Sequence, residues 1–152
     1  MKKNGLNKLL ALLLALVMVL ALAACGNKAQ DNGGAGDDAN VVTDGTVADG
    51  ATVGKGATAF TVEVAQLDGT SITFTVNTDK ATVGEALLEL GIVAGDDTEY
   101  GLYVKTVNGV TLDYDTDGAY WAFYINGEYA MTGVDATNIE AGAIYALKAE
   151  KA

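Results

Sequence analysis

The sequence predicts an α+β domain, β-grasp-like, with one helix packed on a mixed or antiparallel sheet and preceded by a signal peptide and a disordered tether. Three observations carry this. From Phe60 onward, short alternating segments are separated by Asp-Gly or Asn-Gly pairs, and such pairs between alternating runs mark hairpins. One segment, ATVGEALLELG, switches to the helical period. The first 59 residues hold no comparable pattern. The expected organisation is a signal peptide over 1–24, a flexible linker over 25–59 and a folded domain over 60–152.

Lys2, Lys3 and Lys8 stand ahead of an uncharged run at 9–24, 16 residues long. A spanning helix needs roughly 20 apolar residues, so the basic front and small-residue end fit a secretory signal instead. The run ends Leu22-Ala23-Ala24-Cys25-Gly26, which resembles the lipobox of bacterial lipoproteins. That resemblance implies cleavage before Cys25, acylation of its sulfur, and a protein held by lipid on the extracellular face of the cell membrane. Each buried methylene contributes about 0.8 kcal/mol, so two acyl chains make a stable anchor. Cys25 is the only cysteine, which excludes disulfides within the chain.

Gly, Asp, Asn, Ala and Thr dominate residues 26–58, a composition too poor in large apolar side chains to build a core. As a flexible coil, such a tether spans roughly 30 Å root-mean-square. Residues 60–152 carry four Lys against fifteen Asp and Glu, and the chain has no Arg. A domain this acidic is repelled by nucleic acid and by anionic lipid, so membrane contact must come through the anchor. His and Pro are absent and Ser71 is the only serine. Serine and cysteine triads are thereby excluded, as are zinc sites built on thiolate or imidazole. No enzyme activity and no resident cofactor are expected.

The first hairpin is FTVEVAQLDGTSITFTV, with Phe60, Val62 and Val64 facing Ile72, Phe74 and Val76 around a two-residue turn at Asp68-Gly69. The helix follows. Thr82 and Glu85 form a capping box, Val83, Ala86, Leu87 and Leu90 make an apolar stripe, and Gly91 is the expected left-handed C′ residue. DDTEYG reads as loop, GLYVKTVNGVTL as a strand with a turn at Asn108-Gly109, YWAFYINGEYAM as a hairpin turning at Asn126-Gly127, and AIYALKAE as a terminal strand. Hairpin, helix and further strands in that order give two layers.

One helix can cover only one face of such a sheet. In YWAFYING the alternation sends Trp121, Phe123 and Ile125 to one side and Tyr120, Ala122 and Tyr124 to the other. Trp121 and Phe123 are expected beneath the helix. Tyrosine and Trp combine large area with a polar tip, so Tyr120, Tyr124, Trp121, Tyr103 and Tyr129 are the candidate ligand-binding residues. DYDTDG places Asp113, Asp115 and Asp117 as in the front half of a calcium loop. Position 12, a bidentate Glu in such loops, is Tyr124 here, which leaves these residues a weak metal candidate.

TVGEALLELG, GLYVKTVNGV, YWAFYING and MTGVDATNIEAGAIYAL follow one another over about 70 residues. In that order they resemble the transcobalamin-like C-terminal domain family, DUF4430, with Gly101, Asn108, Gly109, Trp121, Asn126, Gly127, Gly133 and Gly142 as the punctuation. The resemblance implies a β-grasp-like fold. It also implies a small-molecule ligand of the corrinoid class, such as cobalamin, because in the animal carriers of that vitamin this domain closes over the corrinoid as a lid. A membrane importer would be the partner. The alternative is a surface adhesion or structural module recognising protein or glycan.

Overall fold

A computed structural model describes residues 42–152. The expected signal segment, Cys25 and the linker as far as residue 41 lie outside the described residues. Among the described residues nine strands form two sheets: β1 (Thr52–Gly54), β2 (Thr58–Ala65), β3 (Ser71–Thr78), β7 (Ala119–Ile125), β8 (Glu128–Tyr129) and β9 (Ile144–Lys151) in one, β4 (Val93–Thr98), β5 (Gly101–Val107) and β6 (Val110–Thr111) in the other. The large sheet runs β1-β3-β2-β9-β7-β8, with parallel pairs β1/β3 and β2/β9, so it is mixed. Helix α1 (Val83–Glu89) and a single turn α2 (Tyr114–Asp117) complete the unit with a 3₁₀ turn at Val134–Ala136. Among the described residues no helix is long and apolar enough to cross a membrane.

Helix α1 forms as its ends dictate. The Thr82 hydroxyl accepts the Glu85 N–H at 3.3 Å while the Glu85 carboxylate accepts the Thr82 N–H at 3.3 Å, the reciprocal cap worth about 1 kcal/mol. At the other end Gly91 sits at φ 69°, Ile92 N–H reaches Leu87 O and Gly91 N–H reaches Leu88 O, the 6→1 and 5→2 pair of a Schellman stop. Val83, Ala86 and Leu87 are buried.

The core lies between α1, the small sheet and one face of the large sheet. Alternation places Phe60, Val62, Val64, Phe74, Val76, Trp121, Phe123, Tyr145 and Leu147 on that face, all buried, against Ile92, Val93 and Val107. Tyr145 is central: Phe60 meets its ring edge-on at 5.4 Å and Phe123 stacks at 6.1 Å. Its hydroxyl donates to Asn138 O and accepts from Glu140 N–H, so the one buried phenol is satisfied.

Four sequence expectations need correction here. The folded unit begins before Phe60: β1 adds to the sheet and buries Val53, while Val47 is also buried and its backbone N–H is accepted by the Asn108 side chain at 2.6 Å. Residues 42–59 are therefore not flexible linker. Their Val residues are too sparse for a period to show, and the partners that bury them lie far along the chain. The first turn is not a two-residue one. Gly69 N–H bonds Gln66 O and Gln66 N–H bonds Thr70 O, with only Gly69 at positive φ, a type I turn closed by a glycine bulge. The Asp68 carboxylate accepts both the N–H and the hydroxyl of Thr70, which holds Asp68 out of the left-handed region. DDTEYG is not loop but strand and hairpin, since Asp96, Asp97 and Thr98 pair with Tyr103, Leu102 and Gly101. Its exposed residues show no alternation. Finally, the helix does not cover the core alone, because the small sheet shares that work. The two Asn-Gly hairpins agree with expectation: Asn108 and Asn126 sit at φ 49° with Gly109 and Gly127 also positive.

If β1 belongs to the folded unit, Val53→Ala should cost about 2 kcal/mol in a urea melt. An unchanged midpoint would detach residues 52–54 from the core.

Candidate binding site

The β7 strand divides its side chains as its period requires. Trp121 and Phe123 point into the core, 7% and 9% exposed, and Tyr120 and Tyr124 stand half-buried on the opposite face. The Trp121 indole N–H donates to Lys105 O at 3.1 Å. Lys105 is available for this because the β4/β5 register shifts there: Ala94 pairs with Thr106 and Gly95 with Val104, leaving Lys105 as the extra residue. A bulge turns such a residue away from its ladder. Its carbonyl then accepts Leu112 N–H as well, at 2.8 Å.

The open face is built from the pairing. Register puts Tyr129, Tyr124, Ala146, Glu63 and Thr73 in one row, Ala122 beside Lys148 in the next and Tyr120 beside Glu150 in the one after. Both tyrosine hydroxyls donate to one carboxylate, Tyr120 to Glu150 Oε2 at 3.2 Å and Tyr124 to Glu150 Oε1 at 2.5 Å. Tyr129 meets Tyr124 edge-on at 5.4 Å, and Tyr114 of α2 lies 6.4 Å from Tyr120. The Lys148 ammonium sits 5.2 Å from the Tyr124 ring centre and 3.5 Å from Glu63. The floor is small: Ala122 and Ala146 are covered by these longer neighbours.

Glu150 raises both phenols. For Tyr124 the hydrogen bond to the carboxylate, followed by partial desolvation and the carboxylate charge, pushes the pKa up to about 12. For Tyr120 desolvation leads and Glu150 adds to it.

The five candidate ligand residues thus divide. Tyr120 and Tyr124 share the open face, and Tyr129, on the border strand β8, flanks both that face and the cavity. Trp121 and Tyr103 belong to the other side, where a cavity of about 180 Å³ opens between β5 and the β7–β8 hairpin, lined by Tyr103, Trp121, Phe123, Tyr129, Ala130 and Leu147 among others. Of the lining residues Tyr103 is 38% and Tyr129 57% exposed, and Tyr100 and Met131, outside that lining, are 91% and 94% exposed. Glu150 and Lys148 were not singled out from the sequence. The alternation of IYALKAEK would have placed them on one face, but which strand β9 joins is set by long-range pairing.

The Asp113 group is occupied by its own backbone. The Asp113 carboxylate accepts from Asp115 N–H, Thr116 N–H and the Thr116 hydroxyl, which holds its pKa below the usual range, and Asp117 accepts from Asp113 N–H. Lys105 Nζ bridges Asp96 at 2.8 Å and Asp113 at 3.7 Å. Among the described residues no group of three His, Cys, Asp or Glu is arranged to hold a metal ion.

The family model DUF4430, described as a domain of unknown function, matches residues 80–144. A crystal structure of a candidate metal-binding protein from Ruminococcus gnavus ATCC 29149 is similar at 31% identity and a TM-score of 0.60, covering 63% of this chain and 99% of that one. The chain belongs to the DUF4430 family. Haptocorrin in complex with Cbi is similar at 14% identity and a TM-score of 0.47, over 65% of this chain and 27% of that one, a likeness too slight to carry an argument. No curated protein matches the sequence. In this DUF4430 domain the matched region supplies α1, the small sheet, α2 and the aromatic strand β7.

The raised phenol predicts a pH window. The stabilisation from the Tyr124–Glu150 bond is complete below the ordinary tyrosine value of about 10 and is lost as pH rises through about 12. In a tyrosinate absorbance titration, Tyr124→Phe should remove the latest-titrating phenol. An unchanged late phase would assign it elsewhere.

Proposed function

We infer that this is a non-catalytic binding module, tethered through a lipidated Cys25 to the outer face of the cell membrane and taking a small molecule of the corrinoid class for delivery to an importer. The observation that supports it is the cavity between β5 and the β7–β8 hairpin, lined by Leu102, Val104, Trp121, Phe123 and Leu147 together with the exposed Tyr103 and Tyr129. Isolated exposed apolar residues are ordinary, but several around one concavity mark a recognition site. At about 180 Å³ it falls below the roughly 300–1,000 Å³ that enclose a whole small molecule. It can seat one projecting group while the body of the ligand lies across the rim, which suits a lid that closes from one side. Membership of the DUF4430 family, which the sequence related to the lids of vitamin carriers, supports the same reading. So does the strand order β3-β2-β9-β7, with the last strand parallel to the first of the hairpin, the arrangement expected of a β-grasp.

Metal binding, the description given to the Ruminococcus gnavus protein, is less well supported for this chain. The best-placed carboxylate, Asp113, already serves three donors within its own turn and faces the Lys105 ammonium.

Two measurements test the proposal. Isothermal titration of the full-length protein with hydroxocobalamin should give saturable heat, and Tyr103→Ala should weaken it roughly tenfold; absence of heat at high micromolar ligand removes the corrinoid. Separately, Cys25→Ser should move the protein from the membrane to the soluble fraction, and persistence in the membrane would refute the anchor.

A further inference from the structure

We propose that the open face of the large sheet is a platform for an extended, uncharged polysaccharide, a surface that shares only the border residue Tyr129 with the cavity across the sheet, so that Tyr114→Ala is the variant that tells the two apart. Four facts lead there. The first is shape. The face is an open array of strands on which Ala122 and Ala146 form the floor and the long side chains lie over them, so it offers area and no enclosure. An extended occupant suits it.

The second is chemistry. Tyr114, Tyr120, Tyr124 and Tyr129 follow one another along one side, each within ring contact or a shared carboxylate of the next. Beside them register aligns the hydroxyls of Thr52, Thr75 and Thr61, and of Thr73. Aromatic rings stack on the C–H faces of pyranose rings, and hydroxyl and carboxylate groups bond their rims. Tyrosine provides this area with little side-chain entropy to lose.

The third is charge. Residues 42–152 carry five Lys against seventeen Asp and Glu. On the open face the ionised side chains in the pairing rows are Glu63, Lys148 and Glu150, and the first two pair with each other. A face with one net negative charge in these rows suits a polar, neutral occupant and disfavours a polyanion or a polycation.

The fourth is rigidity. Glu150 clamps two phenols and Lys148 sits over the Tyr124 ring, which fixes Tyr120 and Tyr124 before anything binds. Pre-set rings lower the ordering cost of binding.

The test is affinity electrophoresis of the full-length protein in detergent, through gels containing hydroxyethylcellulose, glycol chitin, dextran or galactomannan, with heparin and polylysine as charged counterparts. At least one neutral polymer should retard it. Tyr114→Ala and Tyr129→Ala remove rings that are 55% and 57% exposed, so both variants should melt as the parent does while affinity falls roughly tenfold. Tyr124→Phe keeps the ring and should retain most of the binding. Retardation by the charged polymers alone, by none of the polymers, or equally in parent and ring-deleted variants overturns the proposal. Tyr103→Ala, which bears on the corrinoid reading, should leave retardation unchanged.

Discussion

The Lys105 carbonyl is the point on which the two sheets turn. It accepts two N–H groups, from Leu112 in the following segment and from the indole of Trp121 in the large sheet. A carbonyl inside a regular ladder would give its better lone pair to the neighbouring strand; here the bulge in β5 withdraws it. The largest side chain of the core is thereby fixed without leaving its polar atom unpaired, which would cost about 1–3 kcal/mol. Asp135 makes the second fastening. Its carboxylate accepts Leu102 N–H at 3.2 Å, and a Cβ on Gly101 or Gly133 would fall within 3.0 Å of that carboxylate. Glycine at both positions is what lets the β4–β5 hairpin close on the 3₁₀ turn.

Once the small sheet and α1 occupy one face, the large sheet has its apolar requirement met there. The other face is released from packing and can carry tyrosine, threonine and a carboxylate. Burial and exposure are divided between alternate residues of the same strands: in β7, Trp121 and Phe123 are buried in the core and Tyr120 and Tyr124 stand on the opposite face. The division explains how a strand so rich in aromatic residues remains compatible with a single, well-packed core.

Much of this was legible because it is local. The capping box of Thr82 and Glu85, the glycine stop at Gly91, both Asn-Gly turns and the alternation of YWAFYI are decided within a few residues. What escaped is decided at a distance. Val47 and Val53 are core residues only because Asn108 and β3 reach them, the polar strand β4 exists only because β5 pairs with it, and Glu150 becomes a clamp only when β9 lies beside β7. The Asp68-Gly69 turn was misread for another reason. The carboxylate of Asp68 prefers Thr70, a competition between side chain and backbone that a dipeptide rule does not include.

The edge positions of β1 and β8 set how the domain can be presented. Strand β1 receives the chain from its amino-terminal side at one border of the six-stranded sheet, and β8, with Tyr129, forms the opposite border. Five interstrand steps separate them, roughly 24 Å. The two open edges therefore lie on opposite borders of the sheet, and the tyrosine margin is the part of it farthest from β1.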